Sequence, residues 1–156
     1  EAAMAAGNPI DRRDEQPPEL PSVRHRLQQF VDAARIEAGL PWSRVILGGF
    51  SQGAMLALDL CLRLPESPGG LVVFSGTLLN ETAWREAAPA RRGLRVLQSH
   101  GSEDALLSFA AARRLADLLL EAGLEVDFVP FRGPHTIPHE VMARFAVFLR
   151  ERLNNG

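Results

Sequence analysis

The chain has 156 residues, 46% hydrophobic and 23% charged, which suits one globular domain spanning 1–156. A formal charge of −2 and an isoelectric point near 6.1 give no electrostatic reason to bind nucleic acid or an anionic membrane. No apolar run reaches the roughly 18 residues of a membrane span, and the N-terminus lacks the basic and apolar regions of a signal peptide, so a cytoplasmic protein is expected.

Residues 1–21 are rich in Pro, Ala and charge and are expected to be mostly loop. They begin on Glu1 and not on Met, which sets the expectation that the gene product starts further upstream. From Ser22 to about Leu40 the pattern is that of an amphipathic helix. Val23, Leu27, Phe30, Val31 and Ala34 share one face, Arg24, Gln28 and Asp32 the other, and Pro41 ends the helix. Residues 44–48 (Arg-Val-Ile-Leu-Gly) form a short β-branched run. It leads into Gly49-Phe50-Ser51-Gln52-Gly53, the G-x-S-x-G pattern of a nucleophile elbow, a sharp turn that exposes a serine hydroxyl above a parallel sheet. The two glycines are expected to leave room for a strained backbone and a close approach of strand and helix.

Residues 52–63 are strong helix formers and include Cys61, the single cysteine, which excludes an intrachain disulfide and reads as a buried structural thiol. Pro65 and Pro68-Gly69-Gly70 break the chain. Leu71-Val72-Val73-Phe74-Ser75 is continuously apolar, as in a strand covered on both faces. Residues 77–93 read as a polar connection with a short helix, and residues 94–99 as the next strand. A helix over about 107–122 follows, with Phe109, Leu115, Leu118 and Leu119 apolar and Gly123 as its stop. Residues 125–131 form the last strand, and a helix over about 138–153 turns Val141, Phe145, Phe148 and Leu149 inward. The alternation of strand and helix predicts an α/β fold, a mainly parallel sheet with helices on both faces. Ligands of such sheets bind at the carboxyl ends of the strands. Ser51 stands at one such end, His100-Gly101-Ser102-Glu103-Asp104 at a second, and Arg132-Gly133-Pro134-His135 at a third.

A serine hydroxyl needs an adjacent base to act as a nucleophile. Behind an elbow the expected order is Ser, then Asp or Glu, then His. His25 lies upstream, in the wrong order, on a surface helix. His100 precedes both acids and reads as a support for its loop through hydrogen bonds. His139 falls in the first turn of the last helix, where the helix directs its side chain. His135 lies in a loop after the last strand, where a base is expected. Glu103 and Asp104 compete as its partner, and Asp104 also reads as an acid stabilising a helix N-terminus. Asp127, within a strand, reads as structural.

From about residue 22 to the C-terminus the chain resembles the phospholipase/carboxylesterase family of α/β-hydrolases, which includes the acyl-protein thioesterases. The markers are Gly48-Gly49-Phe50-Ser51-Gln52-Gly53-Ala54-Met55, Phe74-Ser75-Gly76, His100-Gly101-Ser102-Glu103-Asp104 and Gly133-Pro134-His135-Thr136-Ile137. The resemblance implies hydrolysis of short-to-medium acyl esters or thioesters, small molecules among them, without metal or organic cofactor. It implies Ser51 as nucleophile, His135 as base and then acid, and Asp104, from the His-Gly-x-x-Asp spacing, as the group that orients His135. It further implies the backbone N–H of Gln52 as one oxyanion donor, and Thr77 and Leu78 near the acyl pocket. The chain departs from the family's pattern in one respect: the earlier strands and the His-Gly loop with the second oxyanion donor are not in it. Val45-Ile46-Leu47 would then be an exposed apolar edge. This sets the expectation that residues 1–156 are the C-terminal portion of a longer chain, with a further N-terminal segment or a second chain completing the sheet. Three readings follow: a serine carboxylesterase, a thioesterase acting on acylated proteins or small thiols, and a non-catalytic fragment or assembly partner that keeps the elbow. A nucleotide-binding domain is disfavoured, since the chain has no G-x-G-x-x-G and no lysine.

Overall fold

The computed structural model describes residues 9–154. Strands β1 (Ile46–Phe50), β2 (Gly70–Phe74), β3 (Arg95–Gly101) and β4 (Glu125–Phe131) pair in the order β1-β2-β3-β4, every pair parallel. The helices are α1 (Leu20–Glu37), α2 (Gln52–Arg63), α3 (Glu81–Ala87), α4 (Phe109–Glu121) and α5 (His139–Asn154). All five residues of β2 are buried, because alternate side chains enter different cores. Leu71 and Val73 meet Leu58 of α2 and Leu115 and Leu119 of α4. Val72 and Phe74 join Leu97 against Val141 and Phe148 of α5 on the other face. Each of these buried side chains contributes about 1.5–3 kcal/mol relative to exposure. Cys61 lies in the first core, where burial pushes its thiol up to about 12.

The element boundaries shift where hydrogen bonding overrides local pattern. β1 begins two residues later than the β-branched run, since Trp42–Arg44 closes a 3-10 turn, and it runs on through Gly48-Gly49-Phe50. Those three residues pair with Val72, Val73 and Phe74, so the ladder outweighs the poor strand propensity of glycine. β3 extends to Gly101 because β4 pairs with it as far as Gly101–Phe131, so His100 and Gly101 belong to a strand and not to a loop. α1 ends at Glu37, and past its cap Gly39 turns the chain with φ 67, where Leu40 N–H reaches back to the Arg35 carbonyl; Pro41 is not needed to stop it.

The inward face of α1 also differs from its amphipathic pattern. Leu27 and Val31 pack on the core, but Phe30 is 72% and Val23 40% exposed. Arg24 turns inward, and its Nη1 lies 2.6 Å from Oδ2 of the fully buried Asp59. Asp59 Oδ1 accepts from Trp84 Nε1 at 2.8 Å. A buried carboxylate needs such partners, and meeting that need rotates the helix away from its hydrophobic register. Of the segment expected to be loop, residues 1–8 lie outside the described residues, and residues 9–19 carry no helix or strand beyond a bridge between Ile10 and Leu107. β1 is an edge of the sheet, yet Leu47 is 6% exposed and Val45 and Ile46 are half-buried; the exposed positions are Gly48 and Phe50.

Candidate active site

Ser51 joins β1 to α2 with φ 58 and ψ −122, a conformation nearly reserved for glycine. Its N–H is anchored to the Phe74 carbonyl at 2.8 Å, the next rung of the β1–β2 ladder. A Cβ on Gly49 would come within 2.4 Å of the Gly53 carbonyl carbon, so the turn closes only over a glycine at 49. A Cβ on Gly53 would meet nothing within 4 Å. The elbow therefore needs one of its two glycines for space. Ser51 is the N-cap of α2, but its side chain makes no capping bond. Its Oγ instead lies 3.0 Å from His135 Nε2.

His135 Nδ1 lies 2.7 Å from Asp104 Oδ2. Asp104 Oδ1 accepts the N–H groups of Leu106 at 2.8 Å and Leu107 at 2.9 Å. Asp104 is buried, and α4 begins only at Phe109 with Ser108 as its cap, so Asp104 does not sit at a helix N-terminus. Glu103, the competing acid, is exposed and pairs with Arg132 at 2.8 Å. His135 is half-buried beneath the Phe50 ring, with centroids 4.8 Å apart. Its loop is fixed to the acid loop by backbone bonds, Ser102 N–H to the Phe131 carbonyl at 2.8 Å and Glu103 N–H to the Gly133 carbonyl at 2.9 Å. Gly101 allows this approach, since a Cβ there would stand 2.3 Å from the Gly133 oxygen.

His100 is fully buried, with Nε2 at 3.1 Å from the Leu107 carbonyl. Burial holds its imidazole below the ordinary histidine range, against the opposing pull of the Leu107 carbonyl and Asp104. His25 and His139 are exposed on α1 and α5. Gln52 is the first residue of α2, so its N–H has no acceptor within the helix and remains available beside Ser51. Asp127 pairs with Arg144 on the surface.

A cavity of about 370 Å³ at Ser51 is lined by Ile10, Arg12, Phe50, Gln52, Met55, Leu106 and Leu107. Thr77 and Leu78 are not among the residues that line it. Both residues are fully buried; Leu78 belongs to the core, and Thr77 Oγ1 contacts Sδ of the cavity-lining Met55 at 3.8 Å. Ile10 and Arg12 reach the cavity from a segment without sequence signal; the bridge from Ile10 to Leu107 brings them there. Among the described residues, no three His, Cys, Asp or Glu side chains are grouped to hold a metal ion, and no helix is long and apolar enough to cross a membrane.

Such a site can pass a proton from hydroxyl to imidazole beside a free N–H. Comparison with known proteins gives it a context. A family model described as Phospholipase/Carboxylesterase matches residues 10–153. A probable carboxylesterase of Oryza sativa subsp. japonica is 32% identical over 146 residues, covering 92% of this chain and 61% of the relative. Acyl-protein thioesterase 1 of Neurospora crassa is 30% identical over 122 residues, covering 76% of this chain and 50% of the relative. The chain thus spans between half and about three fifths of the length of these two relatives. The crystal structure of Arabidopsis thaliana SOBER1 superposes with a TM-score of 0.78 at 26% identity, covering 95% of this chain and 69% of SOBER1.

Proposed function

This chain belongs to the phospholipase/carboxylesterase family, and from that premise we propose that it hydrolyses short-to-medium acyl esters through a covalent acyl-serine. The observation that carries the proposal is the chain of contacts from Ser51 Oγ to His135 Nε2 at 3.0 Å and from His135 Nδ1 to Asp104 Oδ2 at 2.7 Å. Ser51 Oγ attacks the acyl carbonyl while His135 Nε2 takes its proton. Asp104 holds the Nδ1–H tautomer and stabilises the imidazolium that forms. The Gln52 N–H donates to the oxyanion. His135 then returns the proton to the leaving alcohol, and the acyl group stays on Ser51. Water, deprotonated by His135, attacks the acyl-serine; collapse releases the carboxylic acid and restores the Ser51 hydroxyl. The apolar walls supplied by Ile10, Phe50, Met55, Leu106 and Leu107 suit an acyl chain.

A fluorophosphonate probe tests this directly. It is expected to label the folded chain, and Ser51→Ala is expected to abolish the label. A folded chain that takes no label would favour the non-catalytic reading. The similarity to acyl-protein thioesterase 1 supports a second reading, hydrolysis of thioesters. Rates on matched oxygen ester and thioester pairs decide between the two.

A further inference from the structure

We propose that His100 is a positioning residue for the Asp104–His135 pair, a role that rests on the reading of that pair given above. His100 lies at the end of β3, four residues before Asp104, and is fully buried. Its Nε2 faces two oxygens, the Leu107 carbonyl at 3.1 Å and Asp104 Oδ2 at 3.1 Å. A carbonyl and a carboxylate only accept, so Nε2 carries the proton. Its Nδ1 is buried with no partner among the described residues. A bare acceptor there costs less than a stranded N–H or a buried charge, so the ring is neutral with its proton on Nε2.

This tautomer closes a ring around Asp104. His100 donates to the Leu107 carbonyl. The Leu107 N–H donates to Asp104 Oδ1 at 2.9 Å. Asp104 Oδ2 receives His135 Nδ1 from one side and has the His100 Nε2 on the other. Leu107 is thereby held through both its N–H and its carbonyl, and these bonds resist a swing of Oδ2 out of line with His135. The positive end of the His100 N–H dipole also draws on the charge that Oδ2 presents to His135. Few other groups bear on this pair. α4 brings the Phe109 ring, with its centroid 6.1 Å from that of His100, and β4 brings Pro130 opposite His100. The charged residues of the two loops, Glu103 and Arg132, pair with each other.

Two variants of the full chain test the assignment. His100→Gln keeps an N–H donor near the position of Nε2, and His100→Leu does not. His100→Leu is expected to lower kcat about tenfold with KM within about twofold. It should also move the acidic limb of the kcat/KM profile to higher pH by roughly half a unit, because Oδ2 then serves His135 alone. His100→Gln should restore both. An unmoved acidic limb in a folded His100→Leu, or failure of His100→Gln to rescue it, overturns the proposal. If His100→Leu does not fold, nitrogen NMR of the unaltered chain decides. At about pH 7.5 His100 should be neutral with its proton on Nε2, and a proton on Nδ1 overturns the proposal. The spectrum does not depend on turnover. An inactive chain with the Nε2–H signature therefore counts against hydrolysis and leaves the placement of His100 standing.

Discussion

Helices α2 and α4 both begin on a serine, and the two serines are used in opposite ways. Ser108 has relaxed, extended dihedrals (φ −62, ψ 123), and its side chain accepts the N–H of Ala111, an ordinary N-cap. Ser51 has φ 58 and ψ −122 and caps nothing. Its hydroxyl is left to His135. At Ser108 the hydroxyl stabilises the helix it starts. At Ser51 the backbone is strained and the helix forgoes its cap, which leaves an uncommitted oxygen above the sheet. Stability has been given up at one helix start and kept at the other.

The two sites can be set against each other by substitution. Under the proposed mechanism Ser51→Ala lowers esterolysis by roughly 10⁵–10⁶-fold, read on a chromogenic acyl ester, with no fall in Tm, because no cap is lost. Ser51→Gly is equally inactive but should be more stable by about 1 kcal/mol, since glycine accepts this backbone. Asp104→Asn follows with about a 10⁴-fold loss in kcat from the wrong His135 tautomer. Glu103→Gln should change kcat by less than about threefold, as expected of an exposed ion pair; a larger effect would reopen the choice of acid.

The glycines of the elbow give the next largest contrast. Gly49→Ala should cost about 2–4 kcal/mol in urea unfolding through collision with the Gly53 backbone. Gly53→Ala should gain about 0.5–1 kcal/mol as a better helix former.

The buried His100 makes stability depend on pH. Its folded value is held below its unfolded one, so the unfolded chain binds the proton first. No stability is lost above about pH 6.5, and below it the loss approaches about 1.4 kcal/mol per pH unit until the folded value is reached. Thermal unfolding from pH 7.5 down should show this slope, and His100→Gln should flatten it. The smallest effect is expected at the other serine. Ser108→Ala should cost about 1 kcal/mol and leave kcat nearly unchanged.

Much of this was legible in the chain because it is local. The elbow is five consecutive residues whose strain and spacing act on their own neighbours. The order of strands and helices follows from runs such as Leu71–Phe74 and from breakers such as Pro68-Gly69-Gly70. Other features depend on residues far apart in sequence. Arg24 turns inward because Asp59, 35 positions on, is buried. His100 belongs to β3 because β4 pairs with it. Thr77 is buried against Met55 of α2 and Leu78 lies in the core, and Ile10 and Arg12 reach the cavity through a bridge to Leu107.

By itself the sequence determined that a serine would stand at the end of a parallel strand, with His135 and two acids at later strand ends. Backbone torsion and hydrophobic period are short-range properties, and short-range pattern encodes them. Only the tertiary structure decided which acid faces His135. That choice depends on Gly101 meeting Gly133 and Pro134, an approach set by strand register across the sheet. It buries Asp104 against His135 Nδ1 and leaves Glu103 in solvent with Arg132.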